Sequence, residues 1–234
     1  MKTRSFFSSV CAYLCSFLLM GCGEMTDMEI NNPEFIKGVV VDGPWDVTVY
    51  QSETAKAHID YRDSYNITAE VRNDGYLYLK AKKHLNSNWR KDLKAVIEIP
   101  YIEYIKASGA CDISFNGKFE GKICNVDMDN ASDVKHFEYY GDTISLNIDD
   151  ASGCSMQGEA NHVKISGKGA SDTHMFNLTT ETLDINLSGS SDAEVTVNKR
   201  ITGKISGSAT LKYRGNADCL ELKKSGSADI IKKN

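Results

Sequence analysis

The chain has 234 residues, enough for one medium domain or two small ones, with 41% hydrophobic and 25% charged residues, a balance that excludes a disordered or fibrous chain. The formal charge is −5, and removal of residues 1–21 takes away Lys2 and Arg4 to leave 25 basic against 32 acidic groups. That deficit of cations gives no support to nucleic-acid binding, which normally needs a basic face, and it would repel an anionic membrane surface.

The first element is a leader. Lys2 and Arg4 precede a mostly apolar run from Phe6 to Met20, the length of a signal-peptide core and too short for a stable membrane span. Leu19-Met20-Gly21-Cys22 then resembles a lipobox, with Gly21 as the small residue before the cysteine that takes the lipid. The expectation is a lipoprotein signal peptide over 1–21, lipid attachment at Cys22, and a polar tether over 22–33. Acyl chains partition at about 0.8 kcal/mol per buried CH₂, so attachment to the membrane would be stable.

Candidate strands come next, at Gly38 to Tyr50, Ala55 to Tyr61, Ile67 to Val71, Tyr76 to Ala81 and Ala95 to Ile99, with a hairpin turn at Asn73-Asp74-Gly75. Residues 34–105 therefore read as an antiparallel β region, placed to cover the open end of the repeats that begin at residue 106. Within it, residues 82–94 hold Lys82, Lys83, His84, Trp89, Arg90, Lys91 and Lys94. Lys83, Trp89, Arg90 and Lys91 form a candidate binding loop for an anionic glycan or a protein, since Trp and Arg concentrate at binding hot spots. The bland reading is a solvated hairpin loop.

From residue 106 the sequence repeats. Four-residue motifs of small residues usually closed by Asp recur as Gly109-Ala110-Cys111-Asp112, Asn130-Ala131-Ser132-Asp133, Asp150-Ala151-Ser152-Gly153, Gly169-Ala170-Ser171-Asp172, Gly189-Ser190-Ser191-Asp192, Gly207-Ser208-Ala209-Thr210 and Gly226-Ser227-Ala228-Asp229. The fourth position steps by 21, 20, 19, 20, 18 and 19 residues. After each motif, apolar and polar residues alternate, as in Val134-Lys135-His136 and Leu211-Lys212-Tyr213, which gives the period of two of a half-buried strand. Before the motifs lies a second, mainly apolar column, Ile105, Val126, Leu146, Ile165, Ile185, Gly203 and Leu222. A unit of about 20 residues cannot bury such columns alone, whereas stacked units can. The expectation is an all-β fold: a parallel, right-handed β-helix or solenoid over 106–234. A sandwich of hairpins is the alternative, but it does not require equal steps.

Val41-Asp42-Gly43-Pro44-Trp45-Asp46-Val47-Thr48-Val49, together with the reiterated Ser-Gly-Ser/Ala-Ser/Ala-Asp units, resembles the "putative auto-transporter adhesin, head GIN domain" family over roughly residues 35–230. Members of that family are common among secreted proteins and lipoproteins of Bacteroides-like bacteria. The resemblance implies an all-β body with β-helical coils, and it supplies no catalytic or binding residues.

The remaining chemistry is sparse. Asp112, Asp133, Asp172 and Asp192 could stack as weak Ca²⁺ ligands, although Asp is also a common turn residue and Gly153 and Thr210 interrupt the column. Cys111, Cys124, Cys154 and Cys219 have no metal spacing; four cysteines in an exported protein suggest two bridges, but the columns place no two of them together, so they read as buried free thiols. His136 falls in an inward slot and His174 in an outward one. Asp142-Thr143-Ile144 resembles a short O-glycosylation sequon of Bacteroides-like bacteria, which makes Thr143 a candidate modification site. No cofactor or catalytic motif is expected. The function expected is that of a lipid-anchored cell-envelope protein, held at the outer membrane and facing the periplasm or the surface, acting by surface contact as an adhesin or ligand-binding scaffold. Its expected partners are the membrane, through the lipid, and a glycan or protein ligand, with no nucleic acid. The alternatives are a carbohydrate-active β-helix enzyme, for which Lys135, Lys164, Lys168, Glu194 and Lys212 could supply a charged face, and a purely structural envelope component.

Overall fold

The structure, a computed structural model, describes residues 25–31, 36–62, 65–83 and 93–234. No helix occurs among them. The strands are β1 (Met25–Asn31), β2 (Gly38–Gly43), β3 (Asp46–Gln51), β4 (Lys56–Arg62), β5 (Tyr65–Val71), β6 (Tyr76–Lys83), β7 (Leu93–Ile99), β8 (Tyr104–Gly109) and β9 (Asp112–Asn116). They continue with β10 (Lys118–Met128), β11 (Asp133–Ile148), β12 (Gly153–Gly167), β13 (Asp172–Leu187), β14 (Asp192–Ile205), β15 (Thr210–Arg214), β16 (Cys219–Lys224) and β17 (Asp229–Lys232).

From β8 onward every pairing is parallel and joins a strand to its equivalent in the next coil. The apolar columns become ladders. Val47, Ile113, Val134, Cys154, Thr173, Ala193 and Leu211 are successive partners, all buried. Val39, Ile105, Val126, Leu146, Ile165 and Ile185 form a second buried ladder. The expected solenoid thus forms, with a strand spacing of about 4.8 Å.

The small-residue motif makes the tight corner between these ladders. Its first residue is left-handed in all seven copies, at Gly109, Asn130, Asp150, Gly169, Gly189, Gly207 and Gly226. Glycine, Asn and Asp are the residues that tolerate this region. Its third residue turns inward: Cys111, Ser132, Ser152, Ser171, Ser191, Ala209 and Ala228 are all buried, and only small side chains fit there. Carbonyls of this column accept the N–H of the fourth residue one coil on, as in Asp133 N–H to Cys111 O at 2.9 Å and Asp192 N–H to Ser171 O at 2.9 Å.

Residues 34–105 depart from the expectation in part. Antiparallel strands do stand at the start: β4 pairs with β7 and β1, and β5 with β6 through the turn at Asn73-Asp74-Gly75. However, β2 and β3 lie between β6–β7 on one side and β8–β9 on the other, and all these pairings are parallel. Two coils of the solenoid therefore precede residue 106, and their order in the stack is not their order in the chain. Both kinds of pairing share the period of two, so apolar alternation does not report strand direction. The polar tether expected over 22–33 is also corrected at residues 25–31. These form β1 along β4, with Met28 and Ile30 packed on the core.

His136 is a second correction. The ladder shifts register between Val134 and Phe137, and His136 takes φ +57° and turns to solvent. Phe137 fills the inward slot instead, stacked on Phe115 with ring centroids 4.3 Å apart. A bulge adds one residue and so moves every later side chain of the strand to the other face.

Candidate functional site: a tyrosine groove

Near the covered end, the outward faces of β6, β2 and β8 make a shallow groove of about 570 Å³. Leu77 and Leu79 of β6, Val39 and Val41 of β2, and Ile105 and Ala107 of β8 point into the core. The alternating residues therefore face out, bringing Tyr76, Tyr78 and Lys80 beside Val40 and Asp42, and these beside Tyr104, Lys106 and Ser108.

Gly38 sets the aromatic end. It is paired with Tyr76 on one side and Tyr104 on the other. A Cβ there would stand 2.6 Å from the Tyr104 carbonyl oxygen and 2.8 Å from Tyr76 Cδ1, so only glycine fits. The two rings close over it with centroids 5.1 Å apart. Tyr104 donates its hydroxyl to Asp127 Oδ2 at 2.8 Å, and Asn147 Nδ2 donates to Asp127 Oδ1 at 2.7 Å. Burial, and then the Asp127 carboxylate, hold the Tyr104 phenol well above the ordinary tyrosine range. Tyr78 donates to Asp74 Oδ2 at 2.7 Å, while the Arg72 guanidinium lies 4.0 Å from its ring centroid. The phenols are thus fixed before any ligand arrives. Lys80 and Lys106 offer donors along the groove, and Asp42, Asp129 and Asn130 offer acceptors. Rings beside convergent polar groups suit a ligand with one apolar face and many hydroxyls.

Among the described residues, those singled out from sequence lie elsewhere. Cys22, Trp89, Arg90 and Lys91 fall outside the described residues, and Lys83 ends β6, the strand that carries Tyr76 and Tyr78. Thr143 is half-buried on β11, next to Asp142, whose Oδ1 accepts from Asn161 Nδ2 at 3.0 Å. Asp112, Asp133, Asp172 and Asp192 do stack on the outer side of the corner, with Gly153 between Asp133 and Asp172. Lys135 Nζ lies 2.6 Å from Asp112 Oδ1 and 3.2 Å from Asp133 Oδ2, occupying the place a cation would take between them. Asp192 Oδ1 accepts the Thr210 N–H at 3.1 Å. Among the described residues no three His, Cys, Asp or Glu side chains converge as a metal site.

Cys111, Cys124 and Cys154 are buried free thiols and Cys219 is a half-buried one. Burial pushes the Cys111 and Cys154 thiols up to about 12. Of the charged residues weighed for an enzyme, Lys135, Glu194 and Lys212 share one outward ladder face, Lys164 lies in the other half of its coil, and Lys168 sits at the corner. Glu194 is engaged by Lys212 at 3.2 Å and His174 at 3.3 Å.

The fold and groove define a capped parallel β-solenoid that presents a fixed aromatic and polar surface. The chain belongs to the family described as "Putative auto-transporter adhesin, head GIN domain", which matches residues 36–217. It is similar to a solved putative adhesin from Bacteroides fragilis NCTC 9343, at 16% identity over 90% of this chain and 97% of that one, with a TM-score of 0.79. A putative adhesin from Parabacteroides distasonis ATCC 8503 shares 18% identity over 91% and 98% of the two chains, at a TM-score of 0.64. A protein from the same organism described as a putative lipid binding protein shares 16% identity over 92% and 98%, at a TM-score of 0.66. No curated protein sequence matches the chain significantly.

Proposed function

We propose that this chain is a lipid-anchored adhesin of the outer membrane that works by surface contact rather than catalysis, with the tyrosine groove as its contact site for carbohydrate. The observation that carries the reading is the groove itself: Tyr76, Tyr78 and Tyr104 are brought together from β6 and β8 across β2, with the Tyr78 hydroxyl held by Asp74 and the Tyr104 hydroxyl by Asp127. Membership of an adhesin family supports it, as does the lipobox ending at Cys22. The basic segment with Trp89, Arg90 and Lys91, which comes after β6 in the chain, is proposed as a second contact element, and Thr143 as a glycosylated position.

The test is glycan-array binding by the full-length protein. Tyr78→Ala and Tyr104→Ala should each lower binding about tenfold or more, since one stacked or hydrogen-bonded ring contributes on the order of 1–3 kcal/mol at a binding hot spot. Binding that survives both substitutions removes the groove from the proposal. Polysaccharide turnover by the purified protein would overturn the non-catalytic reading. The mature protein should begin at an acylated Cys22, and Cys22→Ser should leave the membrane fraction.

A further inference from the structure

The two ends of the solenoid differ. The first is covered by β4, β5 and β1. At the last, among the described residues, β16 pairs only with β14 and β17 only with β15, so one edge of each is unpaired. Leu220 and Ile231 are 45% and 37% exposed there, although Ile201 and Leu183 in the ladder of Leu220 are buried.

We infer that this open coil pairs, antiparallel, with the same coil of a second copy of the chain, about a two-fold axis passing by Leu222 and Ile231. The backbone permits it. Ser225 N–H bonds Ile205 O at 3.0 Å, Asp229 N–H bonds Ala209 O at 2.9 Å and Lys233 N–H bonds Tyr213 O at 2.8 Å. Strand alternation then turns the N–H and C=O groups of Leu220, Leu222, Lys224, Ile230 and Lys232 toward the free edge.

Charge selects the register. Only registers that keep inward side chains opposite inward side chains join the two cores. With Leu222 opposite Leu222 of the second copy, Glu221 faces Lys223 in both directions, and Leu220 faces the aliphatic stem of Lys224. The neighbouring allowed registers place Glu221 opposite Glu221, or Lys223 opposite Lys223, and like charges directly opposed are unfavourable. On β17 the same logic sets Ile231 opposite itself, Asp229 opposite Lys233, and Ile230 opposite Lys232. A single axis serves both strands: Leu222 is three residues before Ser225 and Ile231 three after Ala228, so they lie equally far from the corner that joins them. Edge lysines usually block pairing. Here they block the wrong registers and leave one closed, isologous contact.

In such a dimer the covered ends point apart, so pairing would join molecules attached to two apposed membranes; this consequence rests on the lipid-anchor reading above.

Light scattering of the full-length protein in detergent should give a dimer. Glu221→Lys should weaken dimerisation about tenfold, and Glu221→Lys combined with Lys223→Glu should restore it. In a Cys219→Ser background, Ile231→Cys should oxidise to a linked dimer, because facing residues of a non-hydrogen-bonded antiparallel pair have Cα atoms about 4.5 Å apart, within disulfide reach. Lys223→Cys, also exposed but offset from the axis, should not. A monomer at every concentration, indifference to Glu221→Lys, or equal linking at both positions overturns the pairing. Lipidated protein should also cluster phosphatidylcholine vesicles, and Glu221→Lys should not. A dimer that forms in detergent yet clusters no vesicles refutes the anchor reading and leaves the pairing intact.

Discussion

The hydroxyl oxygens of Ser132 and Ser152, one coil apart at the tight corner, stand 3.3 Å from each other inside the solenoid. Ser132 also reaches the carbonyls of Asp129 at 3.0 Å and Ala107 at 3.1 Å, and Ser191 reaches that of Ser188 at 3.0 Å. The corner thus satisfies buried hydroxyls within a space that admits little else. Ser191→Ala should cost about 1 kcal/mol, the net worth of one hydrogen bond, because Ala209 and Ala228 hold the same slot in later coils. Ser191→Leu should cost about 1–3 kcal/mol or more by overpacking. Urea denaturation of both variants checks the difference, and equal losses would contradict it.

The left-handed position of the corner gives a second contrast. At Gly189, φ is +80° and a Cβ would stand 2.6 Å from the Gly169 carbonyl oxygen. Gly189→Ala should therefore cost roughly 1–2 kcal/mol or more from conformation and contact together. Asp150 holds the same region at φ +60° without glycine, so Asp150→Gly should stay within about 1 kcal/mol of the parent. Thermal unfolding of the two variants reads this asymmetry.

The corner and the columns were legible in the sequence because equal chain length per coil returns each slot to one angular position. Val134, Cys154, Thr173, Ala193 and Leu211 could be assigned to one ladder from spacing alone. His136 could not, since nothing local marks the bulge that hands its slot to Phe137. The tyrosine groove was hidden for a topological reason. Tyr76-Leu77-Tyr78-Leu79-Lys80 shows its outward rings plainly, but Tyr104 joins them only because β2 inserts between β6 and β8, an order that differs from that of the chain.

Tyr104 makes stability depend on alkaline pH. Its ionisation in the folded protein lies above the ordinary value near 10, through burial first and the Asp127 hydrogen bond second. A raised folded-state pKa contributes stability that is complete below the unfolded value and is lost as pH rises toward the folded one. Stability should thus fall above about pH 10, and Tyr104→Phe should flatten part of that fall. Denaturant midpoints measured between neutral and strongly alkaline pH test it; an unchanged slope in the Phe variant would contradict it.

Thiol labelling tests the burial of the coils directly. Burial holds Cys111 and Cys154 near 12 and raises Cys124 as well, so neither thiolate nor access is present at mild pH. Cys219, at the open end, is half-buried. Native protein should be alkylated first at Cys219, and denatured protein at all four. Mass mapping that finds Cys154 labelled as fast as Cys219 would mean the column is not closed.

The sharpest test of the coils sets neighbouring residues against each other. Leu211 is fully buried between Ala193 and Ile230 of adjacent coils, whereas Lys212 projects outward and pairs with Glu194 Oε1 at 3.2 Å. Leu211→Ala should cost about 2–5 kcal/mol through lost burial and the cavity left behind. Leu211→Asp should cost more, because it adds an unpaired carboxylate to an apolar column. Lys212→Gln removes one half-buried ion pair on the outer face, while His174 still contacts Glu194, so the loss should be about 1 kcal/mol. Because β14, β15 and β17 stack here, the Leu211 lesion should also expose Tyr213 and Val195, which adjoin it on the inward face. Comparable losses at 211 and 212 would mean that the two side chains do not face opposite sides of the sheet, and the ladder that places every other residue would be wrong at this coil.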